Sequence, residues 1–356
     1  MNLTFLKRTS FVLIMLFLSF LFIEILSEVF VFHRYHHDIS EILQDKSRWA
    51  SGLILRKSLG SMKNDSNFTR KSSNPEPFRS PDSAHGYRIN PGSYEVTYRR
   101  KYFDSLQKFK FYVTIKEDGS RFVGTPPYPT ERDVYVFGDS FVFGEGVNDE
   151  QTFTYLLQSR FPNTRFNLFA GSGYSLTNAY INFDKLSKNI GEEDVLILGH
   201  ANFYGIRHVA APSRMLWWGA PNGFFHDTRT FKHVRASLVS DSLIFDKVPL
   251  FCEYFGDYCD QPDPSQSYMD SVTVRLINDI THKTKAKVYL LHFQGELSKS
   301  ITDALHPRVR LIRAGAEDFD FLMRDDINGF DGHPGPYWNH AIYKRLADTL
   351  TNIGLK

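Results

Sequence analysis

Ser140, Asn202 and the pair Asp331 and His333 are residue types that can carry out acyl transfer, and their surroundings say how. In "DVYVFGDSFVFGEGV", residues 133 to 147, a hydrophobic run stops at Gly138, Asp139 and Ser140 and resumes among glycines. A serine directly after a buried strand can turn the chain or cap a helix, or it can be a nucleophile held at the edge of a sheet. Downstream, "GSGYS" supplies Gly171 and Gly173, whose backbone N–H groups can approach a ligand closely. "GHAN" supplies the side-chain amide of Asn202, and "FDGHPGPYWNH" brings Asp331 and His333 just before a helix. A nucleophile, oxyanion donors, a general base and a carboxylate that orients it are what acyl transfer requires. Singly, each has a plainer use: Ser140 as a cap, Asn202 as a partner for loop carbonyls, Asp331 and His333 as an ordinary turn. All four in order at strand ends favour the catalytic reading.

Those strand ends come from the pattern after residue 131. Short apolar runs at 133–137, 166–170, 194–199, 287–293 and 308–313 alternate with helical stretches near 150–160, 175–189, 267–282, 296–304 and 337–352. Near-continuous apolar runs are strands buried on both faces, and their alternation with helices makes the sheet parallel. Chemistry in such sheets gathers at the carboxyl ends of the strands. The long interval 203–265 interrupts the alternation as an insertion. Its Trp217 and Trp218 either line an acyl or sugar site or pack the insertion onto the sheet. Asp139 reads as structural, and His292, on an apolar strand, as a core histidine.

The set "GDSFVFGEGV", "GSGYS", "GHAN" and "DGHPG" resembles the four sequence blocks of the SGNH, or GDSL-like, hydrolase superfamily, in a bacterial membrane-anchored form. The resemblance covers 133 to 352. It implies a flavodoxin-like three-layer α/β/α sandwich with a five-stranded parallel sheet, and a serine esterase needing neither metal nor cofactor. Carried onto this chain, it makes Ser140 the nucleophile and its N–H one oxyanion donor, Gly173 N–H the second and Asn202 the side-chain donor. His333 becomes the base and Asp331 its orienting acid. Three departures stand out. Only Gly332 separates Asp331 from His333 where many members have two residues, which leaves Asp325 and Asp326 as competing acids. Phe203 follows Asn202 where an aspartate is common, and Gly171 competes with Gly173. The substrate implied is a carbohydrate or lipid O-acyl ester. An O-acyltransferase using the same acyl-enzyme, and a non-catalytic binding protein that keeps the fold, are the alternatives.

The 356 residues are 42% hydrophobic and 15% aromatic, enough for one large domain and an appendage. With 42 basic and 40 acidic residues interspersed, the net charge of +2 gives no field of one sign, and nucleic acid is not an expected partner. Lys7 and Arg8 precede the apolar stretch 11–32, of bilayer-spanning length, broken by Ser19, Glu24, Ser27 and Glu28. This reads as a transmembrane anchor with the remaining chain on the periplasmic or extracellular side; a cleaved signal peptide is the alternative. An exported body would let Cys252 and Cys259 form a disulfide, and they lack the second pair of ligands that a zinc site requires. The expected divisions are an anchor at 1–36, a juxtamembrane segment and linker at 37–86, a β-rich lead-in at 87–130 and the hydrolase domain at 131–356.

Overall fold

A computed structural model describes Ser19 and residues 68–72, 78–102, 105–219, 231–250, 258, 261–293, 295–314 and 333–355. The chain divides into two units, Met1–Met62 and Lys63–Lys356, and all the described residues except Ser19 belong to the second. Apart from Ser19, the anchor at 11–32 lies outside the described residues, as do the pair Cys252 and Cys259, Asp325, Asp326 and Asp331. Among those that are described, no helix is long and apolar enough to cross a membrane.

The five apolar runs form one parallel sheet. Its strands are β6 (Arg132–Gly138), β7 (Thr164–Ala170), β8 (Val195–His200), β11 (Lys287–His292) and β12 (Val309–Arg313), in spatial order β12-β11-β8-β6-β7. Every residue of β8 is buried, because a central parallel strand is covered on both faces. Val136, Leu168, Leu196, Leu198 and Leu290 are all fully buried, each worth roughly 1.5–3 kcal/mol of apolar transfer.

The helices start where side chains can take up orphan N–H groups. The predicted helix at 150–160 is broken: a 3₁₀ turn at Asp149–Gln151 gives way to extended Thr152, whose hydroxyl caps α2 (Phe153–Arg160). Ser175 caps α3 (Leu176–Leu186), Ser265 caps α6 (Gln266–Lys283) and Ser298 caps α7 (Lys299–Ala304), which shortens the helix expected from 296. Pro336 opens α8 (Pro336–Asn352). α2 packs against α8 while α3 packs against α6, so the helices form two separate groups.

One feature differs from the sequence reading and two go beyond it. The region read as linker ends in ordered strands, β1 (Phe68–Ser72) and β2 (Arg79–Asp82), the latter paired with β3 (Gly86–Ile89). Serine and proline there mark tight turns and short edge strands. The lead-in hairpin of β4 (Gly92–Tyr102) and β5 (Ser105–Ile115) reaches the main sheet through Arg121, which bridges Ile115 on one side and Leu168 of β7 on the other. The insertion holds α4 (Tyr204–His208), α5 (Pro212–Gly219) and a hairpin of β9 (Lys232–Val239) and β10 (Ser242–Pro249). That hairpin turns through Ser240 and Asp241 at φ 46° and 64°, a left-handed pair made without glycine.

Candidate active site

β6 stops at Gly138 and the chain turns straight into α1 (Ser140–Phe143). Glycine is needed at 138, since a Cβ there would lie 2.2 Å from Val142 Cγ2. The same methyl would lie 2.2 Å from a Cβ on Gly199 of β8. Val142, itself fully buried, is slotted between two bare backbone positions, and this presses α1 onto the sheet with Ser140 at its first residue. Ser140 is only 3% exposed. Asp139 caps α1, its Oδ1 accepting from Phe141 N at 2.8 Å, and its Oδ2 accepts from Arg207 Nη1 at 2.8 Å. Both its oxygens are engaged in a side chain with no exposure, so Asp139 holds the turn together and has no oxygen left for a substrate.

The turn that follows is clamped by Arg121. Its Nη1 donates to Phe143 O at 2.6 Å and Gly144 O at 2.8 Å, its Nη2 to Val147 O at 2.7 Å, and its Nε to Asp149 at 2.8 Å. Burial pulls the Arg121 guanidinium down and pushes the Asp149 carboxyl up, and the attraction between the two opposes both shifts.

β7 runs into a turn at 171–174 in which Tyr174 N donates to Gly171 O at 3.0 Å. Gly173, third in the turn, has φ 79°, so the turn is type II, the form that favours glycine at this position. Gly171 N–H is committed to Gly138 O at 3.3 Å. Among the described residues, no acceptor takes the N–H of Gly173 or that of Ser140, although both residues are buried. Buried N–H groups left this way are rare, and unspent donors of this kind are what an oxyanion accepts from.

Beyond β8, Asn202 is exposed and its Nδ2 donates to Glu296 O at 3.4 Å. Phe203 replaces the polar support that an aspartate would give with apolar contact: its ring meets Phe141 edge-on at 5.6 Å, and the Arg207 guanidinium lies 4.5 Å from its centroid. His333 meets the other side of the same cluster, 5.6 Å from Phe141 at 75°. Trp338, in the first turn of α8, packs on Phe141 at 6.0 Å and on Phe293 at 5.4 Å. Phe141 is thus the hub that gathers β6, β8, β11 and the start of α8. Ser140 Oγ makes no hydrogen bond among the described residues, so His333 stands beside the serine's neighbour and is not bonded to the serine itself. Such contacts are often loose without substrate. Of the predicted acids, Asp331 and its competitors Asp325 and Asp326 are not among the described residues.

Two histidines end the strands under this edge. His200 and His292 are paired in register on β8 and β11, with Nδ1 atoms 3.1 Å apart and both rings buried. One ring must carry the Nδ1–H and the other a lone pair. Burial, and then the neighbouring His292 and His208 rings, hold His200 well below the ordinary histidine range. His292 is therefore a core histidine with a bonded partner.

The insertion packs around the 171–174 turn. Trp218 is 2% exposed, with its ring 5.0 Å from His233 and the Arg214 guanidinium 4.8 Å from its centroid; the Trp217 side chain lies outside the described residues. A small second core joins Trp218, Met215, Phe231 and Leu250 of the insertion to Tyr174 and to Tyr87 of the lead-in. Of the two roles open to Trp218, packing is the one observed. Arg121, Arg207 and Tyr87 are parts of this edge that sequence reasoning missed, and none lies in a recognisable block. An open groove along α6, lined by Asp270, Arg275 and His282, contains none of the predicted residues.

No family model matches the chain, and no curated protein matches it. Solved structures do resemble it. A member of the lipolytic G-D-S-L family from Veillonella parvula is 10% identical with a TM-score of 0.34, covering 62% of this chain and 98% of that one. A psychrotrophic esterase from Pseudoalteromonas sp. is 12% identical with a TM-score of 0.34, covering 62% and 97%. A catalytic mutant of an acetylxylan esterase from Geobacillus stearothermophilus is 9% identical with a TM-score of 0.36, covering 64% and 97%. Likeness at this level says nothing of this chain's own activity or substrate.

Proposed function

We propose that the protein is a serine esterase that hydrolyses an O-acyl ester through an acyl-enzyme, with Ser140 as nucleophile and His333 as base. The observation that carries the reading is the clustering of three of the four blocks, the first, third and last, around Phe141. Ser140 precedes it, Phe203 beside Asn202 packs on it, and His333 packs on it from the far end of the chain. In this reading Ser140 Oγ attacks the ester carbonyl while His333 takes its proton. The oxyanion accepts from Ser140 N–H, Gly173 N–H and Asn202 Nδ2. His333 returns the proton to the departing alkoxide, then takes one from a water that attacks the acyl-enzyme, and passes it back to Ser140 Oγ as the acid leaves. Asp331 would orient the imidazole. Side chains and backbone amides carry every step, with no cofactor called for. The substrate class we favour is an O-acyl ester of a carbohydrate or lipid met outside the cytoplasm, with the chain held at the membrane by its N-terminal segment.

The test is fluorophosphonate labelling of the full chain, followed by a panel of esters of increasing acyl length. Labelling and hydrolysis are expected, and Ser140→Ala should abolish both. Labelling that survives this change would remove Ser140 from the role.

A further inference from the structure

We infer that Tyr87 is a positioning residue for the oxyanion hole: its hydroxyl fixes the orientation of the Ser172–Gly173 peptide and so aims the Gly173 N–H. The inference rests on the esterase reading and gives the lead-in a part in the chemistry.

A trans peptide is planar, with its C=O and N–H pointing in opposite directions. The Tyr87 hydroxyl donates to Ser172 O at 2.8 Å in a buried setting, and the N–H across that plane is the one on Gly173. The central peptide of a β-turn has two orientations, those of types I and II, which present the N–H to opposite sides, and glycine in third place leaves both open. The 171–174 turn takes the second, with Gly173 at φ 79°. A donor fixed on Ser172 O selects that form and opposes the flip. A hydrogen bond to the carbonyl also polarises the amide, making its N–H a stronger donor to an oxyanion.

The donor is rigid. Tyr87 has no exposure, and its ring stacks on Phe231 at 5.8 Å and 3° and lies 5.5 Å from Tyr174. The turn is held from two other directions: Tyr174 Oη donates to Tyr87 O at 3.2 Å, and Ser172 Oγ donates to Glu145. Glu145 N in turn donates to Ser140 O at 2.9 Å, tying the turn to the nucleophile's own residue. Neither of those bonds touches the Ser172–Gly173 peptide. Tyr87 alone does.

The experiment compares full-length wild type, Tyr87→Phe and Tyr174→Phe on p-nitrophenyl acetate. Both substitutions keep the ring and delete one buried hydrogen bond between the same two segments, but only the first acts on the Ser172–Gly173 peptide. Tyr87→Phe should lower kcat roughly 10- to 100-fold, less than outright removal of an oxyanion donor, with KM within about twofold. Tyr174→Phe should stay within about threefold of wild type in both constants. Equal losses in the two variants, or a change confined to KM, would overturn the inference and leave Tyr87 a packing residue. If Tyr87→Phe does not fold, fluorotyrosine at position 87, a stronger donor of the same shape, should raise kcat, and an unchanged kcat would count against the idea. If wild type neither hydrolyses esters nor takes a fluorophosphonate, the esterase reading fails by itself. The Gly173 amide resonance then decides the peptide's orientation: displacement in Tyr87→Phe but not in Tyr174→Phe supports Tyr87's hold on it, and no displacement refutes it.

Discussion

The slot that seats α1 against the sheet makes an asymmetric prediction. A methyl added at Gly199 would lie 2.2 Å from Val142 Cγ2, with its next neighbours, Phe293 Cε2 and Phe137 O, at 3.2 and 3.3 Å. A methyl added at Gly138 would meet Val142 Cγ2 at 2.2 Å and Val142 Cβ at 2.5 Å. Each change alone should therefore cost about 1–3 kcal/mol through overpacking. Val142→Ala alone should cost about 1.5–3 kcal/mol, because it removes two methyl groups from a side chain with no exposure and leaves a void. Combined with Gly199→Ala, the truncation takes away the clashing methyl, and the remaining contacts near 3.2 Å need only a few tenths of an ångström of adjustment. The double variant should then be no less stable than Val142→Ala alone, a favourable coupling of about 1–3 kcal/mol. With Gly138→Ala the Val142 Cβ remains in the way, and the two costs should simply add. Urea denaturation of the six proteins gives the coupling energies, and the rate of fluorophosphonate labelling reports whether Ser140 keeps its seat. Rescue of both glycine variants by Val142→Ala, or of neither, would refute the geometry argued for α1.

Arg207→Ala should destabilise the protein by about 3–5 kcal/mol in urea denaturation, because it strands the fully buried Asp139 carboxylate without its cation. Acid should weaken the fold. Burial depresses His208 to about 3 and His233 to about 4, so above the ordinary value of 6.5 both are neutral, folded or unfolded, and their contribution is fully present. As the pH falls below that value the unfolded chain takes up protons that the folded one refuses, and near pH 5 the loss should reach about 2 kcal/mol for each histidine. A urea midpoint unchanged between about pH 7 and pH 5 would show that these rings are not buried as described. For the acid of the proposed triad, Asp331→Ala should reduce turnover more than Asp325→Ala or Asp326→Ala, and the reverse order would mean that the short Asp-Gly-His spacing has transferred the role.

The five sheet strands were legible because a parallel strand covered on both faces must be apolar throughout, as the fully buried β8 is. The stop at Gly138 followed from the same pattern. The helix ends were less legible, since Thr152 and Ser298 stop and restart the chain by side-chain capping, which periodicity does not register. The block residues could be found at sight because glycines and a serine interrupt apolar runs. Their supports could not: Arg121 and Arg207 are single arginines outside any block, and nothing local distinguishes a guanidinium that will be buried from one left in water. Tyr87 lay in a stretch whose alternation predicted strands but not what they would cover. The hairpin through Ser240 and Asp241 escaped notice because its left-handed turn uses neither glycine nor asparagine.

The bridge made by Arg121 bears on how this chain could be shortened or recombined. A protein begun at residue 131 would keep all four blocks, yet it would leave one side of β7 without the partner that Arg121 N supplies to Leu168 O at 2.9 Å. An open edge of that kind invites pairing with a second copy, and aggregation is its usual outcome. The same truncation would take away the guanidinium that gathers three carbonyls in the turn after Ser140. The blocks are therefore not a portable cassette, and the segment before them travels with them as a built-in chaperone for one strand and one loop.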